Sequence, residues 1–253
     1  MTLMETNMGQ IVIYQQNMCG YNKDRDSKSV GLHIREKNAL IGLLKVLLNK
    51  KPDVVFMSEV SKNLYEEINT IEGYRLIQPQ VGIAKYDTAA CLLAIKNKYH
   101  YDKKTRESII VNKRYIEGTL SIDELQLECF FAYVPQAYDN TKESISRKRN
   151  MIEGISNFLK ENVNKPLLIA GDLNTDVNDL NGKCKEEFCE ILNYTIDTVI
   201  DKDKGKPTWN GKCLDYALVS KALKKKYMCI TEYISDNGSD HKGLFTIIAS
   251  KEV

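Results

Sequence analysis

The sequence predicts an α/β protein built on mixed β-sheets, and the patterning of its apolar residues carries that prediction. Uniformly apolar runs without polar alternation, such as residues 167–170, are typical of buried strands. Other apolar runs are short and separated by turn residues, which is typical of antiparallel strands. Segments with apolar residues at helical spacing lie between them. No repeat or Pro/Gly-rich linker divides the 253 residues, so we expect one domain, 1–253, with a core of about 10–250.

The first part of the chain is predicted to alternate strands with helices. Residues 11–14 form a short strand, and residues 33–50 form an amphipathic helix that Pro52 ends. The side of this helix predicted to pack on the sheet consists of Ile34, Leu40, Ile41, Leu44, Leu47 and Leu48. Residues 54–57 form the next buried strand, and a short helix capped by Ser61 follows it.

The rest of the chain is predicted to contain nine more strands and two more helices. The strands are residues 74–77, 89–95, 108–111, 115–122, 125–134, 167–170, 214–219, 227–233 and 243–249. The helices are residues 145–162 and 185–192. Arg147, Lys148 and Arg149 lie in the first turns of the former, where basic side chains oppose the helix dipole unless an anion is near. We interpret them as solvated, with a nearby phosphate as the alternative.

Composition excludes several classes of protein. Apolar residues make up 43% of the chain and charged residues 28%, as in ordinary soluble domains. There is neither an apolar run of about eighteen residues nor a signal peptide, so we expect a cytoplasmic monomer without stable membrane association. The seven cysteines have no CxxC spacing and are interpreted as reduced thiols. The net charge of +2 indicates no polyanion partner by itself, although basic segments at 96–114 and 202–226 would suit a phosphate-rich substrate.

Polar side chains follow the predicted strands at the points where the strands end. Asp172 and Asn174 come directly after the strand at 167–170, where they predict a ligand site or, alternatively, a local Asx-turn. The full set of such residues is Asn17, Glu59, Tyr133, Asp172, Asn174, Asp215, Asp240 and His241. Three of them (Glu59, Asn17 and Asp240) supply hard oxygen ligands of the kind that Mg²⁺ prefers. Asp215 with His241 fits a carboxylate that orients an imidazole.

These motifs, in their order along the chain, resemble the endonuclease/exonuclease/phosphatase family. The resemblance runs from Ile11 to Ile248 and rests on PDVVFMSEV, FAYVPQ, GDLNTD, LDYALVS and SDHKG. It implies the deoxyribonuclease I-like fold, a four-layer α/β/β/α sandwich of two packed mixed β-sheets with outer helices. It also implies cleavage of phosphoester bonds with Mg²⁺ or Mn²⁺ as cofactor.

The resemblance assigns roles residue by residue. Glu59, Asn17 and Asp240 match metal-binding positions. Asp172 matches the aspartate that activates water, and Asn174 matches its phosphate-orienting neighbour. Asp215 matches the residue that orients His241, which contacts the scissile phosphate. Tyr133 resembles the tyrosine of the exonuclease III and abasic-site endonuclease branch. Substrate binding is predicted for Trp209, Arg147 and Gln136.

The function predicted from these roles is Mg²⁺-dependent hydrolysis of phosphodiester bonds. We expect a DNA endonuclease or exonuclease, with the abasic-site type as a specific form. An alternative is a phosphatase or phosphodiesterase of the same fold acting on phosphoinositide, sphingomyelin or a small nucleotide. A more remote alternative is a catalytically silent binding module on the same scaffold.

Overall fold

The computed structural model describes residues 10–20, 32–83, 90–111, 113–137, 140–179 and 182–251. Its helices are α1 (Ile34–Lys50), α2 (Lys62–Ile68), α3 (Lys142–Asn162), α4 (Lys185–Tyr194) and α5 (Lys221–Lys226). The first strands are β1 (Gln10–Asn17), β2 (Val54–Val60), β3 (Tyr74–Ile77), β4 (Ala90–Lys96), β5 (His100–Lys104) and β6 (Tyr115–Ile122). The remaining strands are β7 (Leu125–Tyr133), β8 (Leu167–Asp172), β9 (Thr195–Asp197), β10 (Asp215–Ser220), β11 (Tyr227–Ile234) and β12 (Gly243–Ser250).

The strands form two mixed sheets of six strands each. The first sheet has the order β11-β12-β1-β2-β4-β3, and the second has the order β5-β6-β7-β8-β10-β9. Each sheet contains one parallel pair at its centre, β1 with β2 and β7 with β8. The other pairs are antiparallel. The two sheets therefore share one plan, in which a central parallel pair carries antiparallel neighbours on both sides.

Three apolar clusters hold the layers together. The central cluster lies between the sheets and joins side chains such as Phe56 of β2 and Phe131 of β7, whose ring centroids are 5.3 Å apart. A second cluster packs α3 and α4 on the outer face of one sheet, and a third packs α1 and α2 on the other. The predicted four-layer α/β/β/α sandwich is confirmed. No helix among the described residues is long and apolar enough to cross a membrane.

The predicted elements agree with the structure except at a few segments. Ser61 caps α2 as predicted, accepting a hydrogen bond from the backbone N–H of Leu64. The predicted strand at 108–111 is wrong, because that segment lies against α3, where the Asn150 side chain bonds the backbone of Ser108 and Ile110. Strands β5 and β9 and helix α5 are additional elements. Residue 89 of the strand predicted at 89–95 lies outside the described residues.

The predicted packing face of α1 is right in part. Leu40 and Leu47 pack against the same apolar cluster as the buried Ala39, Leu43 and Val46. Ile34, Ile41, Leu44 and Leu48 do not, since they are 61%, 53%, 38% and 75% exposed. Apolar residues surround most of this helix, so periodicity alone does not select its buried side. The orientation of α1 about its own axis is fixed at Gly42, which lies so close to the Asn237 backbone that a Cβ atom there would be 1.7 Å from the Asn237 carbonyl oxygen.

Candidate functional site

Strand direction brings the predicted site residues to one edge of the two sheets. The parallel strands β1 and β2 end near Asn17 and Glu59, and the parallel strands β7 and β8 end at Tyr133 and Asp172. Strand β10 runs antiparallel to β8, so its first residue, Asp215, pairs directly with Asp172. Residues from both halves of the chain therefore converge where the sheets meet.

A histidine held between two aspartates is the best defined part of the site. His241 Nδ1 lies 2.9 Å from Asp215 Oδ2 and 3.9 Å from Asp172 Oδ2, and all three side chains are buried. Burial alone would lower the pKa of His241, but its hydrogen bond to Asp215 and the charges of Asp215, Asp172 and Asp240 raise it to about 9. The imidazole is therefore protonated at neutral pH, with Nδ1 donating to Asp215.

The Asp172 carboxylate has one oxygen bonded and one oxygen without a partner among the described residues. Its Oδ1 accepts a hydrogen bond of 3.0 Å from the backbone N–H of Asn174, whereas its buried Oδ2 has none. The local Asx-turn is thus present and still leaves a carboxylate oxygen for a ligand. Burial, followed by the charges of Asp215 and Glu59, holds the pKa of Asp172 well above its usual value.

Asn174 is held in place by hydrogen bonds to its side chain and to its backbone carbonyl. Its φ is +48°, a left-handed conformation, and its Nδ2 donates to the Val134 carbonyl at 2.9 Å. Its own carbonyl accepts a hydrogen bond of 2.6 Å from the buried ammonium group of Lys148. Burial lowers the pKa of Lys148. The interpretation of Lys148 as solvated is therefore wrong. Its burial could have been predicted from the sequence, because Lys148 lies on the same side of the helix as the apolar Met151, Ile152 and Ile155.

Glu59 and Tyr133 connect the two sheets across the site. The Tyr133 hydroxyl donates to Glu59 Oε1 at 2.8 Å. Glu59 has a left-handed φ of +52° and lies in an irregularity of the pairing between β2 and β4, which turns its side chain out of the regular strand alternation. The Arg114 guanidinium lies 4.5 Å from the centre of the Tyr133 ring. Burial and the charge of Glu59 raise the pKa of Tyr133.

Asp240 is the most exposed of the predicted metal ligands and is held by three side chains. It forms an ion pair with Arg35, accepts from Cys19 Sγ at 3.1 Å, and accepts from Trp209 Nε1 at 3.5 Å. Burial would raise its pKa, but the bond from Cys19 and the charges of His241 and Arg35 outweigh burial and lower it. Sequence reasoning assigned no role to Arg35, since nothing in the pattern of its helix distinguishes it from a solvated residue.

Asn17 lies beside this group, at the end of β1. Its Oδ1 accepts from the backbone N–H of Cys19 at 2.8 Å, and its buried Nδ2 has no hydrogen-bond partner among the described residues. Cys19 has a left-handed φ of +54°, so the chain turns sharply after β1. Asn17, Cys19 and Asp240 therefore form one contiguous polar rim.

The three predicted substrate-binding residues differ in their distance from this constellation. The Trp209 ring stacks on His241, with centroids 5.7 Å apart. Gln136 lines a cavity of about 210 Å³ together with Trp209, Lys148 and Asn174. Arg147 is exposed on α3, forms an ion pair with Glu143, and borders a separate cavity of about 230 Å³ that Gln136 also lines. Trp209 and Gln136 thus join the site directly, and Arg147 lies to one side of it.

The donor atoms at this edge fit a divalent cation. One ligand atom each of Asp172, Asp215 and His241 lies within 4.8 Å of the others, an acidic and histidine cluster that could hold a metal. A protonated imidazole has no free lone pair and cannot bind a metal ion. The carboxylate oxygens are therefore the better candidate ligands for the cation. Within the described part of the chain, the buried Asp172 Oδ2 accepts no hydrogen bond and the buried Asn17 Nδ2 donates none. The edge thus offers a free acceptor to a cation and a free donor to an oxygen atom of a ligand. Oxygen donors favour hard cations such as Mg²⁺ over zinc.

Comparisons with known proteins agree with this geometry. Residues 128–245 match a family model described as endonuclease-reverse transcriptase. Truncated TDP2 from Caenorhabditis elegans superposes with a TM-score of 0.67 at 14% identity, covering 95% of this chain and 98% of that one. The AP endonuclease LMAP from Leishmania major gives 0.66 at 14% identity, covering 95% and 88%. An AP endonuclease from Archaeoglobus fulgidus gives 0.65 at 16% identity, covering 94% and 99%.

No curated protein sequence matches the chain significantly. At these identities the likeness to the solved structures establishes the fold. The fold and the family model, which matches part of the chain, agree with the resemblance that the motifs indicated.

Proposed function

We propose that this chain is a divalent-metal-dependent hydrolase that cleaves phosphodiester bonds in nucleic acid, with DNA as its substrate. One observation carries the proposal: the His241 imidazole, held by Asp215 at 2.9 Å, adjoins the buried Asp172 carboxylate, whose Oδ2 has no hydrogen bond to any described residue. A fixed cation beside a base with a raised pKa is an arrangement suited to attack by water on a phosphate.

His241 supplies the positive charge in this mechanism. With Nδ1 bonded to Asp215, the imidazole directs its other nitrogen, Nε2, away from that aspartate. A protonated Nε2 donates to a phosphate oxygen and stabilises the negative charge that grows as water attacks. Since its pKa is about 9, His241 stays charged throughout the neutral range. Trp209, stacked on the ring, limits access of water to the pair.

Asp172 is assigned the role of general base. Its Oδ2 is free to accept a proton from the attacking water, and its Oδ1 is fixed by the Asn174 backbone. A pKa above the usual carboxyl value makes the ionised form a stronger base, which favours this role. Asn174, held by Lys148, orients the phosphoryl group. Tyr133, which donates a hydrogen bond to Glu59, is assigned a catalytic role beside the substrate at the same edge of the sheets.

Glu59, Asn17 and Asp240 are the residues that would hold Mg²⁺ or Mn²⁺. The bound cation supplies polarisation of the phosphate and stabilisation of the leaving oxygen. Arg35 now neutralises Asp240 by ion pairing, so we expect this arginine to exchange that contact when a cation or a phosphate is present.

Nucleic acid is favoured as substrate by two features of the site. Trp209 presents an aromatic ring at the rim, where a base or sugar can stack on it. Two of the superposing structures are AP endonucleases, which favours DNA and an abasic site. The cytoplasmic location and the monomeric state stay predictions.

The test is hydrolysis of a substrate panel by the purified chain with Mg²⁺. The panel holds plain duplex DNA, abasic duplex DNA, single-stranded DNA, RNA and a phosphoinositide. We expect cleavage of DNA that excess EDTA abolishes, and losses of about 10²- to 10⁴-fold for Asp172→Asn and His241→Ala. Matched controls are Asp102→Asn and His100→Ala, because both residues are exposed on β5, the edge strand of the second sheet.

Two results would contradict the proposal. Full activity in excess EDTA would refute the metal requirement. Hydrolysis of the phosphoinositide alone would refute nucleic acid as the substrate and favour the lipid-directed alternative. Thermal melting of each variant shows whether a loss of activity reflects the site or the fold.

A further inference from the structure

Helix α1 presents a second apolar surface to solvent, on the side facing away from the sheet. Ile34, Ile41, Leu44 and Leu48 are between 38% and 75% exposed. At about 100° per residue, these four side chains fall within roughly a quarter of the helix circumference. We call this surface the outer stripe. Ala39, Leu43 and Val46, on the other side, already anchor the helix to the sheet.

The outer stripe is a concentration of exposed apolar residues that recurs nowhere else among the described residues. The large exposed apolar side chains outside α1 are separated along the chain: Val81, Ile110, Val163, Tyr194 and Met228. Single exposed apolar residues are normal on protein surfaces, whereas contiguous ones mark interaction sites. The fold itself does not need the outer stripe, because the opposite face of α1 supplies its packing.

The charged side chains that helix α1 itself places on and beside the outer stripe are basic. At about 100° per residue, Lys37 falls within the stripe, between Leu44 and Leu48, and Lys45 lies at its margin beside Ile34; both are exposed. The only acidic residue of α1, Glu36, is buried and accepts a hydrogen bond from the backbone N–H of His33. The outer stripe is therefore apolar and basic, and the acidic Asp240, which pairs with Arg35, contacts the helix outside the stripe.

We propose that the outer stripe of α1 docks on an anionic lipid surface. Its four apolar side chains enter the boundary between headgroups and acyl chains, and Lys37 and Lys45 contact lipid phosphates. A helix with an apolar stripe and flanking lysines lies in the plane of a membrane in this way. The helix is already folded and anchored, so docking requires no coupled folding. A second copy of the chain is a poorer occupant, because symmetric pairing of two such helices would bring like charges together.

This proposal departs from the prediction that the protein has no stable membrane association. That prediction addressed spanning segments, which differ physically from a helix that lies on a surface. The stripe begins beside the candidate site, since Arg35 of the first turn pairs with Asp240. The docking surface is nevertheless distinct from the site residues, and its test does not depend on the proposed nuclease function.

The experiment is co-sedimentation of the full chain with vesicles. One vesicle type is phosphatidylcholine alone, and the other is phosphatidylcholine with phosphatidylserine. We expect binding only to the anionic vesicles, weakening as salt is added. The double variant Ile41→Ser, Leu48→Ser and the double variant Lys37→Glu, Lys45→Glu should each reduce vesicle partitioning by about tenfold or more.

Matched controls separate the outer stripe from general surface properties. Val163→Ser with Met228→Ser removes exposed apolar groups elsewhere, and Lys221→Glu with Lys225→Glu removes exposed charge from α5. Both control variants should bind as the wild type does. All these positions are exposed, so melting curves should be unchanged. Should the serine pair fail to fold, the glutamate pair decides the test.

Four results would overturn the proposal. The first is absence of binding to the anionic vesicles, and the second is equal binding to neutral ones. The third comes from sedimentation velocity: a wild-type dimer that the Ile41→Ser, Leu48→Ser variant converts to monomer would assign the stripe to a second copy of the chain. Equal loss of vesicle binding in the α5 control would likewise refute a specific role for α1.

Discussion

The bond between Asp215 and His241 makes a measurable prediction about charge at the site. Asp215→Asn keeps the shape of the side chain and removes its negative charge. In the wild type the pKa of His241 is about 9, compared with an ordinary value of 6.5. That difference corresponds to roughly 3 kcal/mol of preference for the protonated imidazole. Burial opposes protonation and remains in the variant, whereas the largest favourable contribution, the bond and charge of Asp215, is lost. We therefore expect the His241 pKa of the variant to fall well below 9, although the charges of Asp172 and Asp240 still favour the protonated form.

The same pair predicts how stability depends on pH. The folded-state pKa of His241 lies above its unfolded value, so the pair stabilises the fold fully below about pH 6.5. This contribution declines as the pH rises and is lost above a pH of about 9. The difference in unfolding free energy between wild type and Asp215→Asn should therefore shrink from pH 6 to pH 10, by roughly 3 kcal/mol at most, because Asp172 and Asp240 supply part of the shift in both proteins. Urea unfolding in EDTA measures it.

Proton NMR tests the charge directly. The chain has three histidines, and His241→Asn identifies the imidazole signal of interest by its loss. A His241 signal that still titrates near pH 9 in Asp215→Asn would refute the reasoning. We also expect the variant to recover part of its hydrolytic activity as the pH is lowered, because acid restores the imidazolium.

Three further predictions concern stability. Gly171→Ala should destabilise the fold by about 3 kcal/mol or more, because the φ of Gly171 is +140° and a Cβ atom there would lie 1.9 Å from a backbone oxygen of β7. Urea unfolding measures the change in unfolding free energy, and a loss under about 1 kcal/mol would contradict the prediction. Lys148→Met should cost about 1–3 kcal/mol by leaving the Asn174 carbonyl unsatisfied, and should lower kcat more than it raises KM. Leu43→Ala should cost about 2–5 kcal/mol and Leu48→Ala under about 0.5 kcal/mol, and equal losses would mean that the helix faces are wrongly assigned.

Most of the site was predictable because its residues occupy a repeated place in the sequence pattern. Glu59, Tyr133 and Asp172 each follow a continuous apolar run, and strand direction places such ends together. Asp215 and His241 were recognised as a pair from residue type and order, and the structure places them in contact. The polar residues at the ends of apolar strands thus predict which side chains lie at this edge of the sheets.

The failures have physical causes. Strand β5 reads HYDKK, and its polar residues belong to a sheet edge where alternation with apolar residues is not required. The exposed part of α1 was misassigned because the close approach of Gly42 to the Asn237 backbone, and not the number of leucines, determines which side of the helix faces the sheet. The contacts of Arg35 and Arg114 join segments far apart in sequence. No local pattern distinguishes those two arginines from solvated ones.

The order of strands in the first sheet has a consequence for how the protein matures on the ribosome. Strand β1 is synthesised long before its antiparallel neighbour β12, because every other strand of the fold lies between them in sequence. His241 and Asp240 lie in the turn that leads into β12. A nascent chain therefore carries an incomplete candidate site until this turn and β12 have been translated, so termination before that point would release fragments that lack His241.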